Sequence, residues 1–292
     1  MNSWESALRL LPPELAERLG EVCAGQEDTI EELRIRRDRP LCLRTAGGER
    51  TAAPDRPVTD RDIRYVLANA TGASFHTAAD TIRKGYITVQ GGCRIGLCGE
   101  GTGQNGTVGT LRNISSLCIR LPREIPGCAD ALFGEVWDGG FHSTLIISPP
   151  GGGKTTLLRE LVRKLSGEGL RVALADERGE IAAMHQGRPQ FDVGARTDVL
   201  ANVTKCQAGI MLIRTMAPDV LAMDEITAAA DLPAVLEATG CGVGLLATVH
   251  GQDVPDLRRK PMFSRLLTCG AFEKAVCIRK NRGHREYQVV TL

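Results

Sequence analysis

Aromatic side chains are scarce in this chain of 292 residues: Phe, Tyr and Trp together make up 4% of it, so a core must be built from Leu, Val, Ile and Ala. Neither sign of charge dominates, with 36 basic against 35 acidic side chains and a formal net charge of +1. That balance excludes a global field that would gather nucleic acid or anionic lipid. No apolar run reaches the roughly 18 residues that would span a bilayer, which excludes a helical membrane span. The 10 cysteines include no C-x-x-C pair, and Cys93 and Cys98 are the nearest in sequence, so neither a zinc cluster nor a disulfide framework is expected. Cys42, Cys118 and Cys277 lie in apolar strand-like runs, where a free thiol behaves as a small hydrophobe. The opening stretch MNSWESALRLL lacks a cationic head followed by an apolar run. The expectation is a cytosolic protein with reduced thiols.

What is present divides into two patterns, and the length leaves room for two domains. Residues 4–22 read as a helix pair broken at Pro12-Pro13. EELRIRRDRPLCLRTAGGER alternates apolar and charged residues about a Gly-Gly turn, as strands do. Thr59-Asp60 opens an amphipathic helix, DIRYVLANATG, and residues 86–121 are strand-like again. These features predict a smaller α+β domain over 1–121 and a linker over 122–127, where two prolines and a glycine cluster. Over 128–292 apolar strands at 144–148, 170–176, 220–224 and 243–249 alternate with helical stretches. That alternation predicts an α/β domain with a mostly parallel sheet, ending in a hairpin about Asn281-Arg282-Gly283.

The stretch SPPGGGKTTLL, residues 148–158, follows the apolar run Thr144-Leu145-Ile146-Ile147. It matches the phosphate-loop pattern G-x-x-x-x-G-K-[ST] at Gly153, Lys154 and Thr155, with Ser148 in place of the first glycine. Glycines 151 to 153 remove side chains, so backbone N–H groups can wrap a phosphate at a helix N-terminus. Pro149 and Pro150 stiffen the entry to the loop. Lys154 is placed to reach the β- and γ-phosphates and Thr155 to ligate Mg²⁺. Ser148, Pro149, Pro150, Gly151, Gly152, Gly153, Lys154, Thr155 and Thr156 are the candidate nucleotide-binding residues, for ATP with Mg²⁺. GTGQNG at 101–106 also fits a glycine fingerprint by letters, but no helix follows it and it reads as a hairpin turn.

Three further strand ends complete the constellation. VLAMDEI ends in two acids: Asp224 as the metal carboxylate, directly or through water, and Glu225 as the group that polarises attacking water. VGLLATVHG ends in Thr248 and His250, the latter a phosphate sensor or hydrolysis relay. VALADERGEI supplies Asp176, Glu177 and Glu180, of which Glu180 is the preferred assistant to water or metal. Ligands bind at the carboxyl ends of strands in such sheets, so all four motifs belong to one edge. A GTPase is disfavoured because no N-K-x-D motif is present, and a small-molecule kinase because no acceptor site or arginine-rich lid is legible. A nucleic-acid motor or loader is disfavoured by the near balance of charge in the first 120 residues, although Arg34, Arg36, Arg37 and Arg39 could form a local patch. A non-hydrolysing ATP-binding scaffold stays open beside the ATPase.

In this order the four strand-end motifs resemble the secretion-type ATPases of type II and type IV secretion and pilus systems. The segments EELRIRRDRPL, TLRNISSLCIRLPREIPG, PPGGGKTTLLRE, DERGEIA, VGARTDVL and MLIRTMAPDVLAMDEI, with residues 62–99, make nearly the whole chain resemble the stage III sporulation protein AA family. That resemblance implies a RecA-like P-loop ATPase domain behind a smaller N-terminal domain, and a homo-oligomeric ring, a hexamer, with ATP at subunit interfaces. It implies a role in powering assembly of, or transport through, a channel between mother cell and forespore, built by membrane proteins to which the ATPase is peripheral. Arg94 and Arg120 match, by position, arginines that close over the phosphate from the N-terminal domain; Arg196 and Arg214 are further candidates in the ATPase half. The tetracysteine zinc element of some type II relatives has no counterpart here, so no zinc is expected, and the balance of charge argues against a nucleic-acid partner.

Overall fold

The computed structural model describes residues 3–72, 85–103, 110–227, 229–281 and 284–292. The chain divides into two compact units, one of Met1–Arg123 with Ala183–Gln190 and the other of Glu124–Ala182 with Phe191–Leu292.

In the first unit, helices α1 (Ser3–Leu10), α2 (Pro13–Cys23) and α3 (Asp60–Thr71) accompany strands β1 (Ile30–Arg36), β2 (Cys42–Thr45), β3 (Gly48–Thr51), β4 (Tyr86–Thr88), β5 (Arg94–Thr102) and β6 (Thr110–Arg120). Among the described residues the six strands form an antiparallel sheet in the order β3-β2-β1-β6-β5-β4. Strand alternation sorts its faces. Leu33, Ile35, Ile95, Leu97, Leu117 and Ile119 point inward, onto Leu15, Leu19, Ile63 and Val66 of the helices. Arg34, Arg36, Arg94 and Arg120 stand on the other face. Pro12-Pro13 separates α1 from α2, since proline is tolerated in a first turn but not inside a helix. β5 and β6 pair as far as Thr102↔Thr110; residues 104–106 of GTGQNG, anticipated as a hairpin turn, lie outside the described residues. The ladder shifts register between Cys98 and Glu100, and Gly99 stands inside that bulge: a Cβ there would lie 2.6 Å from the carbonyl oxygen of Arg112.

The second unit carries β7 (Thr144–Ser148), β8 (Val172–Asp176), β9 (Thr197–Ala201), β10 (Val220–Met223), β11 (Gly244–His250), β12 (Lys274–Asn281) and β13 (His284–Thr291). Its helices are α4 (Asp130–Val136), α5 (Lys154–Gly167), α6 (Lys205–Met216), α7 (Leu232–Gly240), α8 (Val254–Arg258) and α9 (Pro261–Thr268). Among the described residues the sheet order is β13-β12-β7-β11-β10-β8-β9, parallel throughout except for the antiparallel edge strand β13. β7, β8 and β10 are buried along their whole length, which is why they read as unbroken apolar runs rather than alternating ones. The terminal hairpin is β12 with β13; Arg282 and Gly283 of its anticipated turn lie outside the described residues. β9, within a segment that carried only the family resemblance, extends the sheet by one strand beside β8.

One buried ion pair anchors the first unit. Asp62 is 5% exposed; its carboxylate accepts from the Thr59 backbone N–H at 2.8 Å and from Arg56 Nη1 and Nη2 at 2.9 and 3.0 Å, while the Thr59 hydroxyl caps α3 in return. Burial alone would raise the Asp62 carboxyl, but Arg56 and Thr59 hold it below the ordinary carboxylate range. The Asp62→Ala variant should lose about 2 kcal/mol of stability near neutral pH, by loss of the cap and of a charged hydrogen-bond pair. Because the folded pKa is depressed, that contribution is complete above the unfolded value of roughly 4 and disappears as pH falls through the folded value. Urea unfolding of both proteins at pH 7 and pH 3 should show the gap closing in acid; a gap of equal size at both would refute the linkage.

Candidate functional site

Parallel register brings the predicted strand ends together. Ser148 of β7 is paired with His250 of β11, and Met223 of β10 with Ala247, which sets Asp224 beside Thr248. The order β7-β11-β10-β8 then lines up the phosphate loop, His250, Asp224 and Asp176 along one edge.

The loop between β7 and α5 answers the question raised by its missing glycine. Ser148 is fully buried and completes the β-strand, and its φ is not positive, so nothing about its backbone demands glycine. The demand is met further along, where Gly151 and Gly153 have φ of 72° and 100°. Ser148 also fills space over the loop: a Cβ on Gly152 would collide with its Oγ and lie 3.0 Å from its Cβ. α5 then starts at Lys154, whose first-turn N–H groups have no partner within the helix.

Lys154 is 7% exposed, and burial pulls its ammonium pKa down against the opposing pull of Glu225 and Asp224. Its Nζ donates to the Ser148 carbonyl at 3.2 Å and lies 2.8 Å from His250 Nδ1. A lysine ammonium only donates, so Nδ1 accepts and the ring proton sits on Nε2. That proton faces Glu225 Oε1 at 3.0 Å. The result is a continuous chain Lys154–His250–Glu225, extended by Arg178, whose Nη1 is 3.6 Å from Glu225 Oε2.

Asp224 divides its two oxygens. Oδ1 accepts from the Thr248 hydroxyl at 2.7 Å, and Oδ2 from the Thr155 hydroxyl at 3.3 Å. Thr248 Oγ1 also accepts the Glu225 backbone N–H at 2.8 Å, so one hydroxyl positions both acids. Glu225 has a φ of 41°, a left-handed conformation that costs a non-glycine residue about 1–3 kcal/mol and persists only where surroundings enforce it. Thr155 Oγ1 and Asp224 Oδ2 are hard oxygen donors at a spacing that suits adjacent positions on a small octahedral cation, so the pair fits Mg²⁺.

The acid-rich loop after β8 serves differently from the sequence expectation for Asp176. That residue is 1% exposed and accepts N–H bonds from Glu180 at 2.9 Å, Ile181 at 3.2 Å and Ala182 at 2.9 Å. Burial raises its pKa, and those N–H donors oppose the rise. It shapes the loop that carries Glu180. Arg159 of α5 clamps the same loop by donating from Nε to Ile181 O at 2.6 Å and from Nη2 to Glu180 O at 2.7 Å, with its guanidinium over the Phe191 ring. Glu177 pairs with Lys205 at 2.9 Å. Thr156 accepts a weak contact from the Cys128 thiol through its carbonyl.

Arg94 and Arg120 belong to the other unit, where they are register partners on β5 and β6. Arg94 lies 3.6 Å over the Tyr86 ring, and Arg120 pairs with Glu32 at 3.3 Å. Arg34, Arg36 and Arg37 are bridged to Glu32, Glu49 and Asp60, which divides the anticipated basic patch into ion pairs. In the second unit, Arg196 caps a local carbonyl, Gly169 O, at 3.2 Å, and Arg214 pairs with Glu237 at 3.0 Å. No helix among the described residues is long and apolar enough to cross a membrane.

Comparison with known proteins fits this geometry. The profile of the family described as "Sporulation stage III, protein AA" matches residues 2–290. The chain belongs to this family. Stage III sporulation protein AA of Bacillus subtilis (strain 168) is 36% identical over 286 residues, covering 94% of this chain and 90% of that protein. The Arabidopsis thaliana protein SEEDLING PLASTID DEVELOPMENT 1 is 30% identical over 168 residues, but these are 55% of this chain and 24% of that one. Among solved structures, the pilus retraction motor PilT with bound ADP superposes with a TM-score of 0.65 at 15% identity, covering 95% of this chain and 82% of that one. The Legionella pneumophila ATPase DotB gives a TM-score of 0.61 at 13% identity, over 96% and 80%. At those identities the likeness establishes the fold, an α/β architecture shared with secretion ATPases.

Sequence reasoning did not find Arg159, Arg178 or Arg285. Arg285 of β13 donates from Nε to the Gly152 carbonyl at 3.0 Å across 133 positions of sequence, a contact no local pattern announces. The packing of Ser148 on Gly152 makes a direct test. Gly152→Ala should lower the thermal unfolding midpoint by roughly 3–8 °C through overpacking, and adding Ser148→Gly should recover most of it. A Gly152→Ala protein as stable as its parent, measured by calorimetry, would contradict the assigned contact.

Proposed function

We propose that this chain is a Mg-dependent ATPase that works as a ring, a hexamer, and powers assembly of or transport through a channel between mother cell and forespore. The observation that carries the catalytic part is the convergence of Lys154, His250, Glu225, Asp224 and Thr155 at the carboxyl ends of three neighbouring parallel strands. The family and the fold support the wider role.

In this reading residues 148–156 hold the ATP phosphates, with free N–H groups at the start of α5 as the cradle. Lys154 exchanges His250 for phosphate oxygen, which suits a buried cation whose present partners are neutral. Thr155 and Asp224 hold Mg²⁺, which when bound offsets the charge of the phosphates. His250, relieved of Lys154, keeps its Nε2 proton on Glu225 and so reports phosphate occupancy to the acid that orients water. Glu225 receives that water's proton; Glu180 assists from the loop shaped by Asp176. Arg94 and Arg120 act from the N-terminal domain of a neighbouring subunit on the phosphate, a contribution worth about 10³ to 10⁵ in rate for arginines supplied in trans. We take the N-terminal domain as 1–121, the linker as 122–127 and the ATPase domain as 128–292, near the division of the two compact units at Arg123 and Glu124, although Ala183–Gln190 belongs to the first unit. The protein is cytoplasmic and reaches the membrane through the channel proteins, with no nucleic-acid partner.

The decisive experiment is Mg-dependent ATP hydrolysis measured against protein concentration. Specific activity should rise steeply with concentration as shared sites assemble. Lys154→Ala should abolish it, and Glu225→Gln should lower turnover by about 10²-fold while nucleotide still binds. Turnover that is absent from a protein that binds ATP and forms rings would favour the scaffold; salt-dependent DNA binding that stimulates turnover would favour the nucleic-acid motor.

A further inference from the structure

The terminal hairpin reaches the phosphate loop. Arg285 stands on β13, the antiparallel edge strand, and its Nε donates to Gly152 O at 3.0 Å. Its side chain also lies flat against Gly153: a Cβ there would meet Arg285 Nε at 2.6 Å, Cζ at 3.1 Å and Cδ at 3.3 Å. No carboxylate pairs with this guanidinium among the described residues, whereas Arg163, Arg171, Arg178, Arg214, Arg259 and Arg279 of the same unit each have one.

The peptide group between Gly152 and Gly153 is planar and trans, so its carbonyl and the N–H of Gly153 point in opposite directions. Glycine on both sides leaves this plane free to flip, because either backbone torsion can take either sign. The Gly152 N–H is already committed to the Pro149 carbonyl at 3.2 Å, whereas that of Gly153 has no partner among the described residues. A cation on the carbonyl side selects one of the two orientations, the one that turns the Gly153 N–H away from Arg285.

We propose that Arg285 is a positioning residue for the phosphate loop: it holds the Gly152 carbonyl so that the Gly153 N–H is presented to a bound phosphate. This rests on the nucleotide-binding reading above. The effect falls on affinity for any ligand whose phosphate occupies the loop, ADP and ATP alike, because the arginine acts through the backbone. A hairpin contributed by the last strand thereby tunes a loop at the start of the domain.

The test is equilibrium binding of ADP by calorimetry, with full-length protein, the Arg285→Ala and Arg285→Lys variants, and Lys154→Ala as the non-binding reference. Arg285→Ala should weaken ADP and ATP binding by the same factor of about ten, the size of one lost charge-assisted hydrogen bond. Arg285→Lys, which keeps a cationic donor, should recover most of that affinity, and the unfolding midpoint without nucleotide should stay within about 2 °C. ADP binding equal to the parent in Arg285→Ala would overturn the proposal. So would a fall in affinity that tracks a loss of thermal stability and is not recovered by lysine, since the hairpin would then be merely structural. A parent protein that binds no ADP would overturn the nucleotide reading itself, and this inference with it.

Discussion

The in-register parallel pairing of β7, β11 and β10 is the constraint on which the site depends. It sets Ser148 beside His250 and Asp224 beside Thr248, and from these two neighbour relations the polar network follows. Lys154 is almost fully withdrawn from water, and a buried cation without partners is costly. Its partners are main-chain carbonyls and a neutral imidazole, so charge is balanced only at one remove, by Glu225 across the ring.

Around that network, backbone strain and side-chain volume are distributed with some precision. The left-handed torsions that the loop requires fall on Gly151 and Gly153, which leaves the first motif position as ordinary strand and lets serine occupy it. The volume of Ser148 is accommodated by the bare α-carbon of Gly152. Glu225 is the exception, a non-glycine residue held at positive φ by the Thr248 hydroxyl and the strand end. Strain of that kind persists because several bonds over-determine it, and it fixes the carboxylate toward His250 rather than toward solvent.

Much of this was legible before the structure. Strands buried on both faces read as continuous apolar runs, so β7, β8, β10 and β11 were placed to within about two residues, and Asp224, Glu225 and His250 stood out as polar groups closing such runs. The role of Asp176 was not legible: an acid at a strand end reads the same whether it faces a ligand or is buried in its own loop accepting N–H bonds. Thr248 was noticed only as a neighbour of His250, since a hydroxyl within an apolar strand gives no sign of binding two acids at once.

Local sequence specifies most of the strands and helices, β9 excepted, together with where the phosphate loop turns and which polar groups close the strands. These follow from spacing, burial period and the conformational freedom of glycine, all of which act within a few residues. Tertiary structure alone decided which strand ends are neighbours, that Lys154 meets His250, that Arg159 clamps the loop after β8, and that Arg285 reaches back to Gly152. Those pairings depend on the order of strands in the sheet, and that order is set by the collective burial of many distant side chains rather than by any local stretch of chain.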